Sequence, residues 1–239
     1  MNSFYISAFK GNTVQLTPDE SKHCIKVLRL KKGDRVQLMN GSGSIFEAVI
    51  GIPDSKACVL DIVKEEQFPN LRSYQLSIAI APTKNMDRFE WFVEKATEIG
   101  IDNILPILCK HSERKELKLD RLEKILVSAM KQSGQTYLPE LSRLTPFAEV
   151  VSRPFEGDKL IAHCVPGEKH SLKNVVTPGK NVLLLIGPEG DFDPSEIKLA
   201  LEKGFLPVSL GASRLRTETA GVVGCHTVCL VNEGELAGQ

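Results

Sequence analysis

Apolar and polar positions change rhythm about a third of the way along the chain. Up to residue 70 the apolar residues come in short runs separated by Gly, Pro and charged clusters. Thr17-Pro18-Asp19-Glu20 has the form of a capping box with proline at the first helical position, and it predicts a short helix running to about Leu30. Lys31-Lys32-Gly33-Asp34 then turns the chain into strand-like runs at 35–39, 44–50 and 57–63, the first two joined by an Asn40-Gly41-Ser42-Gly43 hairpin turn. The polar, proline-containing stretch 64–73 reads as a linker. From Tyr74 strands and helices alternate. A strand at 74–80 precedes a helix at 87–99, whose Phe89, Phe92, Val93, Ala96 and Ile99 share one face and whose end is marked by Gly100. The run 104–108 is a strand in which Pro106 argues for an edge or bulged position. Leu122, Ile125, Leu126, Ala129 and Met130 mark a second helix stopped at Gly134, and 160–164 is another strand. The expected architecture is a small β-rich domain at 1–70 and an α/β domain at 74–239, with a parallel sheet covered by helices on both faces.

Two stretches near the C-terminus organise the second domain. The apolar run 182–186 opens into Gly187-Pro188-Glu189-Gly190, after which Asp193-Pro194-Ser195-Glu196 starts a helix with an aspartate cap and a capping box. A short strand at 207–210 then meets Gly211-Ala212-Ser213 and a helix from about Thr217 to Asn232. Open α/β sheets bind ligands at the carboxyl ends of their strands, so two such loops predict one pocket between them. They carry Glu189 and Asp191 on one side and Arg214, Arg216 and Glu218 on the other. Neither a G-x-x-x-x-G-K-[ST] phosphate loop nor a G-x-G-x-x-G fingerprint occurs, so a nucleoside phosphate is not the expected ligand. Gly221 and Gly224 inside the last helix each cost about 1 kcal/mol relative to alanine, and close backbone packing is the expected compensation.

Composition narrows the classes. Thirty basic and thirty acidic residues balance to a net charge of zero, which disfavours indiscriminate nucleic-acid binding but permits a local basic face. Lys22, His23, Lys26, Arg29, Lys31 and Lys32 form such a cluster, as a solvated helix face or as a phosphate-binding one. No run approaches the roughly 20 apolar residues of a membrane span, and the first residues lack the pattern of a signal peptide. Six scattered cysteines without a C-x-x-C pair fit free thiols in a reducing cytosol. Cys225, His226 and Cys229 offer metal-ligand types, yet no second ligand pair completes a closed site, so core packing is expected and no metal.

Leu185-Ile186-Gly187-Pro188-Glu189-Gly190, followed by Leu210-Gly211 and by Leu215-Arg216-Thr217-Glu218-Thr219-Ala220, strongly resembles the ribosomal RNA small subunit methyltransferase E family of the SPOUT superfamily. Lys84, Lys95-Ala96-Thr97-Glu98, Gly100, Ala129, Gln132 and Ser133 extend the likeness over essentially the whole chain. The resemblance implies S-adenosylmethionine-dependent methylation of N3 of a uridine in 16S ribosomal RNA. It also implies a PUA-like RNA-binding domain before the SPOUT sheet, a C-terminal trefoil knot, a homodimer and a cytoplasmic location.

Carried onto this sequence, Ile186, Gly187, Pro188, Glu189, Gly190, Leu210, Gly211, Leu215, Thr217 and Thr219 would hold the cofactor, and Lys22, Lys26, Arg29, Lys84 and Arg214 would contact RNA in the small subunit. Arg216 would stabilise the uracil anion, with Arg214 in reserve. Glu218 would accept the N3 proton or cap the helix. Three positions depart from the family pattern, Lys131 and Gln135 where glutamate and arginine are common and Ser213 where many members have arginine. Two other readings stay open: a non-catalytic RNA-binding protein that keeps the pocket, and a SPOUT enzyme acting on another RNA. An unrelated α/β hydrolase is disfavoured because no G-x-S-x-G elbow is present.

Overall fold

The computed structural model describes residues 1–7, 9 and 11–236. Two compact units emerge, Met1–Leu71 with Met130–Leu138, and Arg72–Ala129 with the chain from Pro139 onward.

The first unit is a five-stranded sheet in the order β1-β3-β4-β5-β2, built from β1 (Ser3–Tyr5), β2 (Thr13–Gln15), β3 (Arg35–Met39), β4 (Ser44–Ile52) and β5 (Val59–Gln67). Only β1 pairs in parallel, with β3. Strands β1 and β2 escape sequence reading because three residues are too few to show a period. Phe4 and Val14 nevertheless reach the core beside Leu16, Val36, Leu38, Phe46, Ile50 and Leu60.

Helix α1 (Pro18–Lys22) begins where its sequence predicts, with Thr17 Oγ1 accepting the Glu20 N–H at 3.3 Å. It does not run on to Leu30. A π-helical turn, His23–Val27, follows, and Arg29 takes a left-handed backbone at φ 57°. Buried Ser21 donates to Leu16 O and accepts from Cys58 N, tying the helix to the sheet there. The expected linker also shortens. Strand β5 continues to Gln67, where Glu65, Glu66 and Gln67 pair with Phe46, Ile45 and Ser44. Its far end has both faces exposed, so it has no apolar residues to betray it.

The segment Met130–Leu138 belongs to this unit through backbone bonds from Gly43 N to Thr136 O and from Leu138 N to Gly41 O, each 2.9 Å. Gly43 is obligatory, because φ is 89° and a Cβ would sit 2.4 Å from the Tyr137 hydroxyl. Lys131 forms a half-buried ion pair with Glu20 at 2.7 Å. Lys131→Glu should therefore place two carboxylates together and destabilise the unit by about 1–3 kcal/mol, between the exposed and buried limits for such pairs. Chemical denaturation measures the loss, and Glu20→Lys in the same chain should recover most of it.

The second unit is an all-parallel eight-stranded sheet. Its strands and helices are β6 (Leu76–Ile80), α2 (Met86–Ile99), β7 (Asn103–Leu108), α3 (Leu119–Ser133), β8 (Glu140–Leu141), β9 (Thr145–Pro146), α4 (Phe147–Ser152), β10 (Asp158–Ala162), β11 (His170–Ser171), α5 (Leu172–Val175), β12 (Val182–Ile186), α6 (Pro194–Glu202), β13 (Leu206–Ser209) and α7 (Thr217–Leu236). The last turn of α3, from Met130, lies in the first unit. The order is β11-β13-β10-β12-β6-β7-β8, with β9 also on β7. Strand β7 is thus not an edge, contrary to the expectation from Pro106. β8 ends its pairing at Ile104 and β9 begins at Ile107, so Pro106 falls in the gap between two short partners, where its missing N–H costs nothing on that side.

Side chains alternate across the buried strands as the pleat requires. Leu183 and Leu185 of β12 face a cluster with Phe147, Val150, Phe192 and Ile197 from α4, α6 and the loop before it. Leu184 faces the opposite side, against α7. There Gly221 lies over Phe92 and Ile80, and Gly224 over Leu184, so closely that added Cβ atoms would fall 2.6, 2.9 and 2.5 Å from them. Close packing is the reason α7 carries glycine at 221 and 224. Cys225 is buried on the same helix with its Sγ 3.8 Å from Ala96 O of α2.

Candidate functional site

Strand β10 lies between β12 and β13, so the carboxyl-end loops of three neighbouring parallel strands open side by side. Two adjoining cavities occupy that rim. One, of about 310 Å³, is lined by Ile186, Gly187, Pro188, Glu189, Asp191 and the stretch 214–217. The other, of about 360 Å³, is lined by His163, Lys169 and the stretch 208–215. Ala162, Cys164, Arg214, Leu215 and Ala220 line both.

The loop after β12 is held by its own polar groups. The Thr217 hydroxyl donates to Gly187 O at 3.0 Å, fixing the start of α7 to the strand end. The Lys84 N–H, just before α2, donates to Glu189 Oε1 at 2.9 Å. Asp191, in a left-handed conformation at φ 65°, donates its N–H to Pro188 O and accepts the Cys164 N–H on its carboxylate at 2.8 Å, joining this loop to the one after β10. A Cβ on Gly190 would lie 3.3 Å from His111, whose Nδ1 is 3.0 Å from Asp191 O. Behind the loop, Asp193 caps α6 in the predicted capping box. Hydrogen bonds from the Ser195 hydroxyl and backbone, then from Lys110, hold its carboxyl down at about 2. Below neutrality the clasp therefore persists until pH falls towards that value.

The sequence-predicted residues divide. Ile186, Gly187, Pro188, Glu189, Arg216 and Thr217 line the first cavity, Leu210 and Gly211 the second, and Arg214 and Leu215 both. Arg214 and Arg216 are exposed, and among the described residues neither guanidinium has a hydrogen-bond or ion-pair partner. Gly190, Thr219 and Glu218 are not among the lining residues. Gly190 turns against His111, and Thr219 is half-buried in the first turn of α7. Glu218 is 7% exposed, with one oxygen 3.9 Å from Arg88 Nε and the other buried without a hydrogen-bond partner among the described residues. Lys84 is exposed and paired with Glu113 at 2.7 Å. Lys22, Lys26 and Arg29 are exposed in the first unit.

Sequence reading overlooked the third loop. His163, Cys164 and Lys169 follow a strand that was legible, but no glycine marks its exit as Gly187 and Gly211 mark the others. Burial, with Lys169 adding to it, pushes the His163 imidazole below its ordinary value, so it is neutral at pH 7.

A parallel sheet with a polar-rimmed cavity at its strand ends, in a chain that also contains a small β unit, is an arrangement that suits an RNA-modifying enzyme. A family model described as an RNA methyltransferase domain matches residues 70–229, and one described as an RNA methyltransferase PUA domain matches 16–63. The chain belongs to the ribosomal RNA small subunit methyltransferase E family. The family's member from Synechocystis is 32% identical over 219 residues, covering 88% of this chain and 71% of that protein. Among solved structures, a probable rRNA methyltransferase from Porphyromonas gingivalis is 41% identical, with a TM-score of 0.91 over 98% of this chain and 100% of that one. The family member from Neisseria gonorrhoeae, solved bound to S-adenosylmethionine, is 26% identical with a TM-score of 0.84 over 97% of this chain and 98% of that one.

Proposed function

We infer that the protein methylates N3 of a uridine in 16S ribosomal RNA, using S-adenosylmethionine. The observation that carries this reading is the pair of joined cavities at the strand ends, formed by the family's own loop residues, with Arg216, unpartnered among the described residues, in the wall of the first. The cavities suit the cofactor chemically. Ile186, Leu210, Leu215 and Ala220 offer apolar walls, while the glycine-containing loops bring backbone N–H and C=O groups to the surface, the mix expected of a nucleoside pocket.

When bound, S-adenosylmethionine supplies an electrophilic methyl group. The N3 proton has to pass to solvent while the chain holds the uracil anion and aligns it, and alignment by itself contributes about 7–11 kcal/mol in well-oriented reactions. Arg216 stabilises the negative charge that spreads onto the uracil oxygens as N3 loses its proton. Gly187, held by Thr217, and Glu189, held by Lys84, keep the cofactor loop in one shape. Gly190 supports that loop where it packs against His111. Lys22, Lys26 and Arg29 on the β-rich unit, and Lys84 and Arg214 at the rim, bind the phosphate backbone.

The same reading includes a cytoplasmic homodimer with a C-terminal trefoil knot. Trp91 on α2 and Leu230 on α7, 43% and 55% exposed on two helices that pack together, support an apolar subunit face. Among the described residues no helix is long and apolar enough to cross a membrane.

Incubating the purified protein with tritiated S-adenosylmethionine and unmodified small subunits, followed by nucleoside analysis, tests the reading. Label is expected in 3-methyluridine. Label in another nucleoside would keep the methyltransferase and overturn its target.

A further inference from the structure

Arg88, one turn into α2, has one ionic partner among the described residues, Glu218, and the contact is loose at 3.9 Å. A hydrogen-bonded arginine–carboxylate pair is bidentate at about 2.7–2.9 Å, so both terminal guanidinium nitrogens of Arg88 remain available. Its basic neighbours are engaged more tightly. Lys84 pairs with Glu113 at 2.7 Å, and Arg121 with Glu90 at 2.6 Å. Glu218 is the reverse case, a carboxylate buried on the first turn of α7 with one oxygen unsatisfied. Leaving a buried acceptor without a hydrogen bond is costly, and among the described residues Arg88 is the cation paired with this carboxylate.

Both members are anchored to the same cavity wall. Thr217, next to Glu218, is bonded to Gly187 O at 3.0 Å. Lys84, one turn before Arg88, is bonded through its backbone to Glu189 at 2.9 Å. Gly187 and Glu189 line the cavity that also holds Arg216. Arg88 is thus a half-exposed, under-coordinated cation on a helix whose start is tied to the cavity loop.

We propose that Arg88 binds a backbone phosphate of the RNA strand beside the target nucleotide, and that Glu218 is the positioning residue that aims it. The proposal rests on the function inferred above. A planar guanidinium with free paired donors matches a phosphodiester better than it matches a neutral base edge. Buried against Arg88 and outside the cavity lining, Glu218 serves as an anchor in place of the proton acceptor expected from the sequence.

The test uses the full-length protein with unmodified small subunits. Arg88→Ala should weaken RNA binding about ten-fold and reduce the slope of log affinity against log salt by about one, as removal of a single phosphate contact does. Affinity for S-adenosylmethionine, read by calorimetry, should not change. Arg88→Lys should restore the salt slope. Glu218→Gln should keep the slope, since the cation remains, but lower kcat several-fold, and adding it to Arg88→Ala should cost nothing more. An unchanged slope in Arg88→Ala would overturn the proposal. So would weakened cofactor binding, or a shift to monomers in light scattering, which would assign Arg88 to the cofactor pocket or to a subunit interface. The slope depends on RNA binding alone, so it stays readable even if the wild-type protein labels a nucleoside other than 3-methyluridine.

Discussion

Arg216→Ala is expected to lower turnover at saturating substrate by about 100- to 1,000-fold, the loss seen when one donor to a developing anion is removed. Cofactor affinity should stay within a factor of about two, because backbone groups and apolar walls dominate that pocket. The physical basis is the exposure of Arg216 on the cavity wall, with no carboxylate among the described residues to neutralise it. Uracil N3 becomes a nucleophile only as its proton leaves, and the resulting charge is delocalised onto the flanking oxygens. A fixed guanidinium lowers the energy of that anion more than of the neutral base, so its effect falls on kcat. Single-turnover methylation and calorimetry together check the split. A mutant that loses cofactor affinity but keeps its rate at saturation would make Arg216 an anchor for the cofactor.

The second large effect lies in the helix behind the site. Gly221→Val should destabilise the protein by about 3 kcal/mol or more, at the upper end of overpacking costs and a large part of a typical margin of about 5–15 kcal/mol. Its Cβ would lie 2.6 Å from two atoms of the Phe92 ring and 2.9 Å from Ile80 Cδ1, all fully buried. Gly221→Ala meets the same atoms but gains about 1 kcal/mol of helix propensity, so its loss should be smaller. Gly224→Ala should be milder still, because its closest neighbour at 2.5 Å is the methyl end of Leu184, which can rotate away more easily than a ring. Urea denaturation would rank the three. Activity should fall with stability, since lifting α7 from α2 and β6 would move Thr217 off Gly187 and carry Arg216 with it.

Much of this protein was legible because local chemistry decided it. Val182–Ile186 is apolar at every position and must be buried on both faces, and Asp193-Pro194-Ser195-Glu196 closes its capping box within four residues. The glycines after β12 and β13 marked two of the three loops that line the cavities, and the family motifs lie on those loops. Gly221 and Gly224 of α7 announced close packing before any partner was known.

Tertiary structure decided whatever depended on a distant partner. Strands β1 and β2 exist because β3 and β5 offer them edges, and β5 outruns its apolar residues because β4 supplies hydrogen bonds over its whole length. Pro106 is accommodated one strand in from the edge by a gap between β8 and β9 that no local pattern encodes. Lys131 finds Glu20 at a separation of 111 residues. The loop after β10 joins the site through Asp191, 27 residues away from Cys164. Glu218 looked like chemistry by its place in a motif, yet α2 brings Arg88 against it. Periodicity and capping energies act within a few residues and can be read along the chain. Ion pairs, sheet edges and the direction a buried carboxylate faces are set by which elements meet in space, and only the folded chain brings them together.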